Sequence, residues 1–183
     1  MKIYLLAIIG SYLLMNGVYA AGPIDNPSEL IGAEIKFRGN VVKKTCLIAL
    51  GSDDQRVPLD TVDLKTLYKY GHGRKYPFEI ALEECDLNIV HDVSVKFTGN
   101  GDLSLPGRLA VTGTEGIGIA LFAKENSDER LNLGEWTEAQ SLNAGSNVLK
   151  FHARVEGHPS AIAAQNIEAG EFQAITNFTL EYK

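Results

Sequence analysis

Histidines are the first side chains in this sequence to consider for chemistry, because imidazole can hold a metal ion or act as a general base. The four histidines are His72, His91, His152 and His158. None lies two or four residues from another, which is the spacing of a metal-binding pair, and none lies beside a cysteine. His152 lies on the polar side of an alternating segment, where we expect a solvent-exposed surface residue. The histidines therefore predict no metal site and no cofactor.

Carboxylates flank one of the cysteines: Glu83 and Glu84 precede Cys85, and Asp86 follows it. A pair of carboxylates could serve a hydrolase, but acidic side chains at a strand end usually face solvent. The sequence also lacks a Gly-x-Ser-x-Gly elbow, a P-loop and a complete Gly-x-Gly-x-x-Gly motif. We predict that the protein has no catalytic residue and is not an enzyme.

Length and charge limit the remaining functions. The chain has 183 residues, enough for one domain, and its 17 basic and 23 acidic side chains give a formal charge of -6. No block of lysines and arginines is present, so nucleic acid is not an expected partner.

The N-terminus predicts export. Lys2 is followed by a mostly apolar stretch over residues 3–18 and then by Val18-Tyr19-Ala20, which is typical of a signal peptide cleaved after Ala20. The alternative is a membrane anchor, but the apolar run is shorter than the roughly 20 residues that a bilayer requires. Residues 1–20 are therefore predicted to be removed, and we expect no membrane span after cleavage.

Export determines how the two cysteines, Cys46 and Cys85, are interpreted. Thiols outside the cytoplasm are oxidised, so we predict a Cys46–Cys85 disulfide rather than a catalytic thiol. Closing a loop of this size would stabilise the fold by about 4 kcal/mol.

The elements that must position these residues are strands. Apolar residues recur at every second position, as in Phe78, Ile80 and Leu82, and the pattern restarts after clusters of Gly, Asn and Asp. The same alternation begins at Ile35 and recurs over residues 93–97, 117–121, 149–155 and 172–182. Only residues 62–70 and 135–141 could form a helical turn. We predict an all-β antiparallel sandwich of the immunoglobulin type.

Several segments, taken in order, resemble the fimbrial subunits of the chaperone–usher class, the type 1-like pilins. They are Ile-Lys-Phe-Arg-Gly-Asn-Val-Val from Ile35, Phe-Glu-Ile-Ala-Leu before Cys85, Val-Lys-Phe-Thr-Gly from Val95, Gly-Ile-Gly-Ile from Gly116, and residues 142–149. The most specific part is the C-terminus, where Gly170 lies fourteenth from the end, an alternating strand follows and Tyr182 is penultimate.

The resemblance implies an incomplete immunoglobulin-like sandwich that lacks its final strand and is completed by a donor strand. The pilin domain would span residues 35–183. Its acceptor edge would be the even-numbered face of the last strand, which a periplasmic pilus chaperone binds first. The predicted acceptor and chaperone-binding residues are Gly170, Phe172, Ala174, Phe178, Leu180, Tyr182 and Lys183.

The donor strand is predicted in an N-terminal arm, residues 21–34, which contains two prolines and small and acidic residues. Ile31, Ala33 and Ile35 are expected to enter the next subunit. A slip of one residue would instead place Glu34 in an apolar groove.

The expected partners are the chaperone, an outer-membrane usher and neighbouring pilin subunits, with the fimbrium on the bacterial surface as the final location. From the length we expect a single domain, and therefore a shaft or tip-linker subunit rather than a tip adhesin, which in this family carries an extra lectin domain. Two alternatives remain open: an exported immunoglobulin-like binding module that does not enter a fibre, and a secreted hydrolase.

Overall fold

The computed structural model describes residues 35–40 and 45–183. The predicted signal peptide and the predicted donor residues Ile31 and Ala33 lie outside these ranges. The helices and strands of the described residues lie in one compact unit, Val42–Lys183. In chain order they are β1 (Leu47–Ile48), α1 (Leu64–Tyr70), β2 (His72–Cys85), β3 (Asp92–Gly99), β4 (Leu109–Ala110), β5 (Ile117–Phe122), β6 (Arg130–Leu131), β7 (Gln140–Ser141), β8 (Gly145–Gly157), α2 (Pro159–Ala164) and β9 (Thr176–Tyr182).

The strands form two sheets in which every pairing is antiparallel. The large sheet has the order β1-β2-β8-β5-β4, with β6 also paired to β5, and the small sheet has the order β7-β3-β9. The predicted all-β immunoglobulin-like sandwich is therefore confirmed.

The core lies between the two sheets, as the alternation predicts. Ile80, Leu82 and Phe151 of the large sheet are almost fully buried, as are Val93 and Val95 of the small sheet. Side chains of one parity on each strand thus form a common apolar layer.

Three phenylalanines at the centre of this layer connect the two sheets: Phe97 comes from the small sheet, and Phe78 and Phe151 come from the large sheet. The ring of Phe97 lies edge-on to that of Phe151, with centroids 5.0 Å apart, and Phe78 lies 5.6 Å from Phe151 and 6.0 Å from Phe97. Edge-to-face aromatic contacts of this kind add to the stability that burial alone provides.

The disulfide between Cys46 and Cys85 is present and confirms the prediction from export. Cys46 immediately precedes β1 and Cys85 ends β2, so the bond closes the same pair of strands that the Leu47–Glu83 register aligns. It therefore links the short edge strand β1 to the C-terminal end of β2.

The helical predictions are partly correct. Asp63 caps α1 by accepting a hydrogen bond from the amide of Lys65 at 3.0 Å, and Gly71 ends it with a φ of 79°. Residues 135–141 form no helix; Gln140 and Ser141 are β7, which pairs with β3. The short helix α2 was not predicted, although Pro159 at its first turn is a helix-start signal.

The pattern at Ile35 does not produce a strand within the described residues of this chain. Residues 35–40 have no regular secondary structure and are exposed. An amphipathic β pattern needs a partner strand and an apolar layer to bury one face, and alternation alone supplies neither.

The outer face of the large sheet corrects the prediction for β8. Arg154 and Glu156 lie on the side of the strand where His152 was expected to face solvent, yet they are only 4% and 5% exposed. The Glu156 carboxylate accepts hydrogen bonds from Arg154 Nη2 at 2.6 Å and from Arg130 Nε at 3.0 Å, and lies 3.5 Å from Arg108 Nε. Arg154 also donates to Asp128, 3.1 Å away.

His152 needs the same correction. It is half-buried, and its Nδ1 atom is buried with no hydrogen-bond partner among the described residues. Its neighbours in the sheet register are Pro77 and Phe122, which offer it no side-chain partner.

Candidate functional site: a groove beside the last strand

The last strand, β9, lies at an edge of the small sheet. It pairs with β3 over its whole length, from Val93–Tyr182 to Gly99–Thr176. Among the described residues no strand pairs with its other side. An edge strand of this kind leaves a row of backbone N–H and C=O groups available for another chain.

The segment before β9 continues the edge. Gln173 and Thr112 exchange backbone hydrogen bonds of 2.9 and 3.0 Å, although regular strand geometry begins only at Thr176. The strand predicted over residues 172–182 is therefore present, but it begins at Thr176, later than expected.

Side chains of β9 and the preceding segment alternate as predicted. The even-numbered ones are half-buried and pack against the core, whereas Gln173, Ile175, Asn177 and Thr179 are exposed. Phe178 is opposite Phe97 in the register, and it packs against the core cluster to which Phe97 belongs.

A groove of 1310 Å³ runs along this edge. Its floor consists of core side chains from both sheets, which are Ile80, Phe97, Leu109, Ile117, Ile119, Leu121, Ala153 and Val155. One rim is formed by residues 167–178, and the other by residues 52–62. The floor is thus the apolar layer of the sandwich itself.

The predicted acceptor residues separate into two groups. Gly170, Phe172, Ala174 and Phe178 line the groove. Leu180 and Tyr182 pack against the core beyond the groove lining.

The C-terminus is held by the backbone of its neighbours. The amide of Lys183 donates to the carbonyl of Asp92 at 2.9 Å, and the Lys183 oxygen accepts from the amides of His91 and Asp92 at 2.8 and 3.1 Å. Burial raises the pKa of the Tyr182 hydroxyl, and a hydrogen bond with Thr45 partly offsets this. The end of β9 is therefore fixed in place next to an exposed Lys183 side chain.

The rim at residues 52–62 was not identified from the sequence. It has no regular structure, and its contacts with β2 are made by side chains: the amide of Ala81 donates to Ser52 Oγ at 3.0 Å, and Gln55 Nε2 donates to the Glu79 carbonyl at 3.0 Å. The only sequence signal was weak. The intervals between Val57, Leu59 and Val62 are two and three residues, which match neither the alternation of a strand nor the period of a helix.

Of the predicted donor residues, only Ile35 lies in the described part of the chain. Its side chain is 74% exposed, and that of Phe37, two positions further on, is 91% exposed. Both belong to the parity predicted to enter a neighbouring subunit.

The other candidates for chemistry do not converge. The described residues contain no group of three or more His, Cys, Asp and Glu side chains placed to hold a metal ion. Glu83 and Glu84 are exposed. His158 Nε2 lies 2.7 Å from Asp102 Oδ2, but Asp102 also accepts from the amides of Ser104 and Leu105, so this pair fastens a loop to the end of β8. In the part of the chain that the structure describes, no helix is long and apolar enough to span a bilayer.

Comparison with known proteins agrees with this geometry. A family model described as "Fimbrial protein" matches residues 35–183. The chain is 32% identical over 161 residues to a putative minor fimbrial subunit, PmfF, of Proteus mirabilis, with 85% of this chain and 87% of that protein covered. It is also 32% identical over 152 residues to the major MR/P fimbria protein of the same species, with coverage of 81% and 83%.

A solved structure extends the likeness to the fold. The P pilus rod subunit PapA superposes with a TM-score of 0.66 at 25% identity, covering 76% of this chain and all of that chain.

The fold and its groove define a pilin of the chaperone–usher class. The chain belongs to the fimbrial protein family and is a structural subunit of extracellular fimbriae. The resemblance seen in the sequence is confirmed.

Proposed function

We propose that this subunit polymerises by donor-strand complementation, in which a strand from another subunit inserts beside β9 and covers the groove floor. The observation that carries the proposal is the coincidence of two features: an edge strand with no partner on one side among the described residues, and a 1310 Å³ groove floored by the core. A strand added here would pair with the β9 backbone and bury apolar side chains in the same step.

Most of the stability of the junction would come from burial of donor side chains against the groove floor. Each aliphatic or aromatic side chain that an inserted strand buries contributes on the order of 2 kcal/mol, and backbone pairing fixes its register. Several such side chains, spaced two residues apart, suffice for a very stable junction.

The donor would be the N-terminal arm of the following subunit. In this account residues 1–20 are a removed signal peptide, residues 21–34 are the arm and residues 35–183 are the body. Ile31, Ala33 and Ile35 enter the groove, and Glu34 remains outside because an unpaired carboxylate is costly to bury.

Before assembly a periplasmic chaperone would occupy the same edge and deliver the subunit to an outer-membrane usher. The acceptor residues named above would contact it, and the carboxylate of Lys183 would lie in its basic cleft. The neighbouring pilin subunits then replace the chaperone. No catalytic step is part of this function.

The rival function, an exported immunoglobulin-like module that stays out of fibres, requires a complete sandwich. The partnerless side of β9 and the floor beside it argue against that function.

Deleting residues 21–33 tests the proposal. The truncated subunit should still bind its chaperone, because its body is intact, but it should be unable to follow another subunit in a fibre. Co-purification with the chaperone and electron microscopy of fibres give the two readouts. Normal polymerisation of the truncated protein would contradict the proposal.

A further inference from the structure

We propose that the acidic rim of the groove selects a donor strand with basic outward side chains, and that this strand runs from Ile31 of the arm through Ile35 to Arg38 of a second copy of this chain. The inference rests on the proposed donor-strand function and adds the chemistry of the partner.

The charge of the groove rim is strongly one-sided. Its lining includes five carboxylates and a single basic side chain, which are Asp53, Asp54, Asp60, Glu168 and Glu171 against Arg56. Arg74, outside the lining, forms an ion pair with Asp60. The remaining four carboxylates and one guanidinium leave the rim with a net charge of -3.

These four carboxylates form two pairs at opposite ends of the groove. Asp53 and Asp54 lie beside Gln55, which bonds to Glu79 of β2 near the aromatic cluster. Glu168 and Glu171 lie at the far end, where the Glu168 amide donates to the Glu115 carbonyl at 3.2 Å. All four side chains are exposed.

The segment from Ile35 has the complementary pattern. Ile35 and Phe37 are exposed apolar side chains, and Lys36 and Arg38 alternate with them. In an extended strand the two apolar side chains lie on one face and the two basic ones on the other. When the apolar face meets the floor of a second copy, the basic face is left at rim level, next to carboxylates.

The contribution of these charges is to selectivity more than to total affinity. Exposed ion pairs are worth little individually and are screened by salt, whereas burial of Ile35 and Phe37 supplies the main attraction. Charge complementarity instead speeds encounter and disfavours strands whose outward side chains are acidic.

Competition between two peptides for one groove measures this selectivity directly. The full mature chain, residues 21–183, is refolded from denaturant in the presence of equal amounts of two peptides that span residues 31–42. One peptide has the natural sequence and the other carries K36E and R38E. Native mass spectrometry then gives the ratio of the two peptide-filled monomers, and the chain's own arm competes equally with both.

At low salt the natural peptide should be favoured by about fivefold, and the preference should fall towards equality at about 0.5 M salt. Charge reversal of the rim provides the matched test. In either E168K/E171K or D53K/D54K the preference should weaken or invert, and the pair that responds identifies the end at which the basic side chains lie. Equal occupancy at low salt in the natural chain, or no response to either reversal, overturns the inference.

A third peptide separates this inference from the function on which it rests. With I35D and F37D the apolar face is destroyed while the basic face remains, so this peptide should not occupy the groove at any salt concentration. If it binds as well as the natural peptide, donor-strand complementation itself fails. If it is excluded while the K36E/R38E peptide binds normally, only the role of the rim is rejected.

Discussion

Neighbouring residues of one strand of the large sheet lie in opposite environments on its two faces. On β8, Ala153 and Val155 line the groove, whereas Arg154 and Glu156 lie on the outer face. The outer face is covered by the chain itself: Asp128 and Arg130 reach Arg154 and Glu156, and Lys75 donates to the carbonyls of Glu125 and Ser127 at 2.7 and 2.6 Å. Beside the groove, no described strand covers the free edge of β9.

This difference shows where the fold is self-sufficient and where it depends on a partner. A buried carboxylate needs hydrogen-bond donors in fixed positions, and one chain can supply them through its own loops. An apolar floor beside an unpaired edge needs only a strand of the right alternation, which any extended segment of suitable sequence can provide. The polar face therefore closes within the subunit, and the apolar face is the one suited to assembly.

The largest effect on assembly should come from a charge introduced on the groove-facing side of β9. In F178D a carboxylate would face the groove opposite Phe97, and burying it unpaired should cost at least about 3 kcal/mol, or about a hundredfold in donor affinity. Incorporation into fibres should therefore be lost, as measured by immunoblotting of sheared fimbriae.

The matched control is T179D, one residue away on the exposed face. It keeps the same backbone groups, so any difference between the two variants reports the facing of the side chain. Equal incorporation of both variants would show that β9 is not the acceptor edge.

On the outer face of the large sheet, E156Q should disrupt the buried ion pair between Arg154 and Glu156. This change leaves the buried guanidinium of Arg154 without its main counter-charge, and removal of one partner from a buried pair typically costs about 3–5 kcal/mol. Urea unfolding of the peptide-filled subunit measures the loss. E129Q, at an exposed position of the covering loop, should be nearly neutral.

The pH dependence of this pair has a definite sign. Burial alone would raise the pKa of Glu156, but the hydrogen bonds from Arg154 and Arg130 outweigh burial and hold it below the ordinary value of 4.5. A carboxyl with a lowered pKa contributes stability above its unfolded value and loses it as the pH falls through the folded value. The difference in unfolding free energy between the natural protein and E156Q should therefore shrink below pH 4.5. A difference that is constant or grows with acid would contradict this electrostatic account.

The disulfide supports the strands on which both faces depend. Replacing Cys46 and Cys85 together with Ser should cost about 4 kcal/mol of unfolding free energy and lower the yield of folded subunit. Mass spectrometry of the exported protein should find both thiols oxidised. Free thiols in that protein would show that the bond does not form during export.

The smallest expected effect concerns His152. Its buried Nδ1 atom has no partner in the described structure, so H152L removes an unsatisfied polar atom beside Phe122 and should be neutral or stabilising by up to about 1 kcal/mol. Thermal unfolding provides the measurement. A loss above about 1 kcal/mol would show that the imidazole is hydrogen-bonded in solution, for instance by water.

The sequence by itself determined the class of fold, the disulfide and the facing of the last strand. Alternation of Phe172, Ala174 and Phe178 with neighbours that are polar except for Ile175 is a local property, because successive side chains of a strand lie on opposite faces whatever the strand packs against. Two cysteines in an exported chain likewise left little choice of pairing.

Tertiary structure alone decided which faces are covered. Arg154 and Glu156 follow the same alternation as an exposed strand face, and only the fold brings Arg108, Asp128 and Arg130 over them. The same holds for the rim at residues 52–62, whose position along the groove depends on contacts with β2 distant in the sequence. Periodicity specifies the direction of a side chain, but its burial depends on what the rest of the chain, or a second chain, places above it.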